Sequence, residues 1–320
     1  MFHWDKGVFL TEVGLALDVP RRQKCGFMSH AHADHIAGHE LAFCTPATAR
    51  LFRHRRGEHR RTREMPYRES MEFGSLKLTT YPAGHCLGSA MLLADNGTKR
   101  LLFTGDFKLG ASATSEEAEL PEADILVMES TFGLPRYQLP PREEVVDQLI
   151  ELVRETLSAG STPVIHAYAL GKAQEVTRLL TLADIPVLQH PQTDAVSEIY
   201  RQCGVELGDV KPFDRELLSG RAVVTLPKGI KSYRLGGMDQ PVSIAVTGWA
   251  MDQSTKYRQR VDHALPLSDH ADFNQLLETV ERVQPKEVYC MHGPTEFVGH
   301  LRAAGFPALP VSGGLQMRMF

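Results

Sequence analysis

The stretch Ser29-His30-Ala31-His32-Ala33-Asp34-His35 constrains this chain more than any other part of its sequence. Three imidazoles and a carboxylate fall within six residues, directly after an apolar run that ends near Met28. Donors spaced so tightly on one loop surround metal ions from a single piece of backbone. Imidazole and carboxylate together suit zinc, with manganese as the alternative where oxygen donors dominate. The plain alternative, a polar loop with incidental histidines, leaves the spacing without a reason.

One loop cannot complete two sites, so further donors are expected elsewhere. Gly84-His85 follows the apolar stretch Leu76 to Tyr81, Gly105-Asp106 follows Arg100 to Phe103, and His292-Gly293 follows Val288 to Met291. Each donor sits just past a candidate strand and beside a glycine, where backbone can approach a metal closely. Singly, such residues are more often structural; with the His30 loop they read as ligands.

Composition sets the bounds. With 320 residues, 42% of them hydrophobic and 23% charged, the chain has material for one large domain or two medium ones. No apolar run is long enough to cross a bilayer, and the start Met1-Phe2-His3-Trp4 has no basic segment followed by an apolar one, so neither membrane association nor a signal peptide is expected. Five scattered cysteines without a C-x-x-C pair point to the reducing cytoplasm. A net charge of −4 excludes a globally basic nucleic-acid binder, so any such role needs a local patch.

The N-terminal third predicts short strands at Leu15 to Val19, Leu41 to Phe43, Leu76 to Tyr81, Ala90 to Leu93 and Arg100 to Phe103. Thr45-Pro46 reads as a capped helix start, and Asp272 as the cap of a helix through Val283. From about Pro135 the pattern alternates helix and strand: a helix over Arg142 to Leu157, a strand over Pro163 to His166, a helix over Lys172 to Leu182, then strands over Ala222 to Leu226 and Val242 to Val246. This stretch reads as a lobe of its own.

The motif set resembles the metallo-β-lactamase fold, and more closely its β-CASP nuclease branch. Asp18 matches the branch's loop-orienting aspartate; His30, His32, Asp34 and His35 match its second motif, His85 its third and Asp106 its fourth. Glu129, His270 in Ser268-Asp269-His270-Ala271-Asp272, and His292 match motifs A, B and C. Thr131-Phe132-Gly133-Leu134-Pro135 and Tyr168-Ala169-Leu170-Gly171-Lys172-Ala173-Gln174 are similar to strings of bacterial ligase-associated DNA exonucleases. The resemblance implies an α/β, four-layer αββα sandwich formed by 1–133 and 261–320, with 134–260 as an inserted α/β β-CASP lobe. It also implies two divalent metal ions per chain, zinc expected and manganese the alternative. His30, His32 and His85 would hold one ion and Asp34, His35 and His292 the other, with Asp106 bridging. Catalytic roles are expected of Asp34, Glu129 and His270.

Two features concern substrate. Gly171-Lys172 opens a helix after a strand, where amides and an ammonium hold a phosphate or merely form a turn; the matched string favours phosphate. Arg50 to Glu69 carries eight arginines against three glutamates, and Arg55 and Arg56 are expected to touch backbone phosphates. The implied function is hydrolysis of phosphodiester bonds by a hydroxide that two metals activate. The implied enzyme is a DNA exonuclease working from the 5′ end in DNA repair, with single-stranded DNA as substrate and a DNA ligase as functional associate. The first rival is an RNA-processing β-CASP ribonuclease, weakened by the lack of a long C-terminal dimerisation extension. A small-molecule metallo-hydrolase is disfavoured by the inserted lobe, and a silent scaffold by the intact donor set.

Overall fold

The computed structural model describes residues 1–228, 238 and 240–311. The chain folds into two compact units, Met1–Tyr137 with His270–Phe320 and Gln138–Asp269. No helix among the described residues is long and apolar enough to cross a membrane, and no disulfide joins the five cysteines.

The first unit is built on period-two alternation in its strands. Leu101, Phe103, Ile125 and Val127 point one way and pack with Val8, Leu10, Leu15, Leu17, Phe27 and Phe43 into a core between two sheets. Leu102, Leu126, Met128 and Val288 point the other way and receive Leu276, Val280, Val283, Phe297 and Leu301 from the helices Phe273–Val283 and Glu296–Ala303. On the far side the helix Pro46–Arg56 lays Ala49 and Phe52 on Met28, Ala42 and Cys44. Helix, sheet, sheet and helix layers follow, the αββα sandwich that the resemblance implies. The first sheet orders its strands Phe2–Trp4, Val8–Leu10, Leu15–Leu17, Cys25–Phe27, Leu41–Cys44, Thr62–Glu64. The second orders Ala308–Pro310, Glu287–Met291, Ile125–Glu129, Arg100–Phe103, Ala90–Asp95, Leu76–Pro82, Ser70–Phe73.

Parallel pairing decides where the donors emerge. Arg100–Phe103, Ile125–Glu129 and Glu287–Met291 are mutually parallel neighbours, so Asp106, Glu129 and His292 leave one edge of the sheet. Leu15–Leu17 and Cys25–Phe27 are also parallel, with Leu17 opposite Phe27, which brings Asp18 beside the loop that starts at Met28. Both expected caps form: Thr45 Oγ1 accepts from the Thr48 N–H at 3.2 Å and Asp272 Oδ1 from the Gln275 N–H at 2.8 Å.

The second unit is a six-stranded sheet, parallel throughout, in the order Val210–Pro212, Val187–Gln189, Ala222–Thr225, Thr162–His166, Pro241–Val246, His263–Leu265. The helices Arg142–Ser158 and Lys172–Leu182 bury Val145, Leu149, Val153, Val176 and Leu180 with Ile165, Val187, Val224 and Ile244. Such near-continuous apolar strands are what a parallel sheet covered on its faces requires.

Leu276 is fully buried in the first unit's outer core, whereas Leu182 is 59% exposed at the end of its helix. Leu276→Ala should therefore cost about 2–5 kcal/mol of stability, and Leu182→Ala less than about 0.5 kcal/mol. Urea denaturation followed by circular dichroism measures both, and equal shifts would contradict this layering.

Candidate metal centre

The His30 loop is shaped by Asp18. This residue takes the left-handed backbone conformation, φ 48°, and its carboxylate accepts three hydrogen bonds. Oδ1 takes the Ser29 N–H at 2.7 Å; Oδ2 takes the Ser29 hydroxyl at 2.5 Å and the His35 Nδ1–H at 2.8 Å. The single hydroxyl proton of Ser29 is thus committed, so at the 2.9 Å contact between Ser29 Oγ and His30 Nδ1 the histidine is the donor. For neutral His30 the tautomer follows, with the lone pair on Nε2; in His30 and His35 alike Nδ1 is engaged, and the Nε2 atoms are left facing Asp106. They lie 3.7 and 3.2 Å from Asp106 Oδ2.

His30 Nε2 is buried and has no hydrogen-bond partner among the described residues. An orphaned acceptor in the interior is costly, and a metal ion satisfies it. The neighbouring donors fit that occupant. His32 Nδ1 and His85 Nε2 are 3.1 Å apart, near the edge of about 3.3–3.4 Å that a tetrahedron with zinc–nitrogen bonds of about 2.0–2.1 Å requires. One nitrogen each from His30, His32 and His85, with an oxygen of Asp106, lie within 4.8 Å of one another. His35, Asp106 and His292 form a second such group. Asp106 belongs to both.

Electrostatics agrees with ligation. Burial, then the neighbouring His35, His85 and His32, hold the His30 imidazole well below its ordinary range, keeping it neutral as a ligand must be. Burial alone would raise Asp106, yet His35, His292 and His270 outweigh it and hold this carboxylate well below the usual range. Burial likewise opposes a charge on His35, but Asp106 and Asp18 override it and raise its pKa well above the ordinary value. A divalent cation, drawn by the same carboxylates, would bind His35 in exchange for that proton.

The glycines work differently from the sequence expectation. Gly105, φ 56°, would place a Cβ 2.4 Å from the Ser29 Cβ, and Gly293 would place one 1.9 Å from the Ser130 carbonyl oxygen. Their role is the approach of one loop to the next, not of backbone to a metal.

Beside the two groups stands His270, 19% exposed at its side chain. Its Nδ1 lies 3.0 Å from each oxygen of Glu129, and its ring centroid 4.7 Å from that of His85. Glu129 is 1% exposed and also accepts from the Phe107 N–H at 2.8 Å and the Thr131 hydroxyl at 2.5 Å. Its acceptor capacity is spent on protein groups. Asp34 is set apart: one oxygen is 3.6 Å from His35 Nε2, but the side chain is 61% exposed and joins neither group.

The expected phosphate contacts divide. Lys172 is 1% exposed, and its Nζ lies 3.6 Å from both Glu175 and Asp269 with no hydrogen-bond partner among the described residues. The Gly171 N–H is taken, donating to Gln174 Oε1 at 2.9 Å. Arg55 and Arg56 are exposed at the end of the helix Pro46–Arg56. Arg56 Nη2 reaches the Ile36 carbonyl at 3.4 Å, which ties this basic segment to the His30 loop. Arg53 and Arg68 are paired with Glu64 and Glu119, while Arg60, Arg61 and Arg63 are exposed.

Residues 258–306, which include His270 and His292, match the family described as "Zn-dependent metallo-hydrolase RNA specificity domain". A protein of Opitutus terrae named "Probable DNA ligase" is 36% identical over 99% of this chain and 32% of its own length. The "RNase J-like protein" of Methanocaldococcus jannaschii is 24% identical over 90% of this chain and 87% of its own. The "Endoribonuclease YSH1" of Eremothecium gossypii is 35% identical over 38% of this chain and 16% of its own. The chain belongs to the β-CASP branch of the metallo-β-lactamase-fold nucleases. This β-CASP chain spans about a third of the ligase-named relative. Its family and its His/Asp cluster mark it as a binder of divalent metal.

Ser29→Ala removes the proton that fixes the His30 tautomer and one of the bonds that hold Asp18. Affinity for the divalent metal should fall by about 10–100-fold, measured by competition with a chromophoric chelator. Unchanged affinity would mean that Ser29 does not set the ligand.

Proposed function

We propose that this chain is a two-metal phosphodiesterase that degrades single-stranded DNA from its 5′ end, a repair exonuclease. The observation that carries the reading is Asp106, common to the His30–His32–His85 group and the His35–His292 group, with Glu129 and His270 forming a further donor group on it. His30, His32 and His85 are assigned to one metal, His35 and His292 to the other with Asp34 on its open side, and Asp106 to both. Zinc suits the imidazole-rich set, with manganese the alternative. The Gln138–Asp269 unit is taken as the inserted β-CASP lobe.

When bound, the divalent metals supply Lewis acidity and lower the pKa of a coordinated water from about 15.7 to about 7. The protein's own contribution is position and proton transfer. Glu129 is a positioning residue: it holds the His270 Nδ1–H and so turns Nε2 to the opposite side, toward a substrate oxygen. From there His270 hydrogen-bonds the scissile phosphate and donates a proton to the leaving oxygen. An imidazole whose other nitrogen is engaged by a carboxylate suits that transfer. Arg55 and Arg56 are assigned to flanking phosphates.

DNA is favoured by the ligase-named relative, matched across 99% of this chain; the same relative suggests a DNA ligase as functional associate. A second reading, an RNA-processing enzyme, is favoured by the RNA-specificity description of residues 258–306 and by the ribonuclease names of two other relatives.

Incubation with single-stranded DNA and RNA labelled separately at each end tests substrate and polarity together. The DNA reading predicts mononucleotides released first from the 5′ label; cleavage confined to RNA would sink it. His270→Ala should keep its metals and lose about a hundredfold to ten-thousandfold in rate. Near-wild-type turnover would remove His270 from the chemistry.

A further inference from the structure

The metal centre accounts for bond breaking but not for how a strand is gripped. In the second unit, Thr162–His166 comes first of the six strands in sequence yet lies inside the sheet. Its successor Val187–Gln189 lies two places to one side, and Pro241–Val246 directly on the other. The order therefore reverses at Thr162–His166, and ligands of open parallel sheets bind beyond the carboxyl ends of the strands at such a point.

What stands there is unusual for a surface. Tyr168, two residues past the end of Thr162–His166, is 56% exposed; Trp249, three past the end of Pro241–Val246, is 36% exposed; Tyr257 is 77% exposed. They are three of the four exposed aromatics among the described residues. The two strands that deliver Tyr168 and Trp249 are parallel neighbours, with His166 opposite Ala245, and so run about 4.8 Å apart.

The backbones beneath these rings are braced. The Tyr168 carbonyl accepts from the Ala173 N–H at 3.0 Å, and the Trp249 carbonyl from the Thr255 hydroxyl at 2.7 Å. The Trp249 N–H donates to Thr247 Oγ1 at 3.4 Å. Cations flank them. Lys228 follows Ala222–Thr225, the neighbour of Thr162–His166 on its other side, and its Nζ donates to the Arg260 carbonyl at 2.8 Å. Lys256 is exposed beside Tyr257, and Arg258 is exposed with Asp252 3.4 Å away.

Exposed rings on a fixed backbone with ammonium groups on neighbouring segments suit unpaired bases, each of which offers a π-face, joined by phosphates. A duplex, whose bases are already stacked on one another, fits them poorly. We propose that Tyr168 and Trp249 form a base-stacking platform for a single strand of nucleic acid, with Lys228 and Lys256 on its phosphates. The inference deepens the nuclease reading and rests on it for the identity of the substrate.

The test uses the metal-loaded full chain and cleavage-resistant phosphorothioate oligonucleotides: single-stranded DNA, single-stranded RNA and an abasic strand of equal length. Tyr168→Ala and Trp249→Ala should each weaken binding of the base-bearing strands by about tenfold. Tyr168→Phe and Trp249→Phe, which keep a ring, should bind like the parent, and the abasic strand should bind every variant equally. In a Trp4→Phe chain, base-bearing strands should quench the fluorescence of Trp249. The DNA and RNA arms show which sugar the platform favours. Unchanged affinity in both alanine variants without quenching, or an equal loss on the abasic strand, overturns the platform. Cleavage of an ordinary phosphodiester strand by the parent chain is scored separately: its absence with binding and quenching intact counts against the nuclease reading and leaves the platform standing.

Discussion

Asp106 is a carboxylate 7% exposed to solvent, inside a ring of imidazoles. Burying such a charge is tolerable only if cations surround it, and His35 and His292 already pull its pKa down against the effect of burial. Much of the first unit can be traced to that requirement. Three parallel strands bring Asp106, Glu129 and His292 to one edge. The parallel pair Leu15–Leu17 and Cys25–Phe27 carries the opposing donors.

Asp18 plays the complementary part. It touches no substrate in this account, yet its hydrogen bonds to Ser29 and His35 determine which nitrogen of His30 and of His35 faces Asp106. Glu129 repeats the device on His270. In both places a buried carboxylate orients an imidazole, and the imidazole faces the reaction. A histidine becomes a dependable ligand or acid only when its other nitrogen is engaged, which explains two acidic residues in positions that chemistry itself does not use.

The site was legible in the sequence because its donors are concentrated: His30 to His35 announces itself by spacing, and His85, Asp106 and His292 each follow an apolar strand. The main strands and both capped helices were legible for the same reason, strong local pattern. Three-residue strands such as Phe2–Trp4, Thr62–Glu64 and Val210–Pro212 were not, since so short a segment has no periodicity and is held by its sheet neighbours. The composition change at 134 and 260 stands beside unit limits at Tyr137 and Asp269. A lysine at a strand-to-helix turn looks the same in sequence whatever surrounds it, and the carboxylates of Glu175 and Asp269, 3.6 Å from Lys172 Nζ, were not foreseeable from local pattern. Ser29 carries no signal in the sequence, although its hydroxyl sets a tautomer. The exposed pair Tyr168 and Trp249 lies 81 positions apart in the chain, and only the parallel pairing of their strands joins them.

The central claim is that one carboxylate belongs to two metal sites, and elemental analysis under native mass spectrometry tests it most directly. The account predicts two divalent ions on each chain and, for Asp106→Ala, the weakening of both together. A single ion on the fully loaded parent chain, or a variant that gives up one ion and keeps the other at parent affinity, would contradict it.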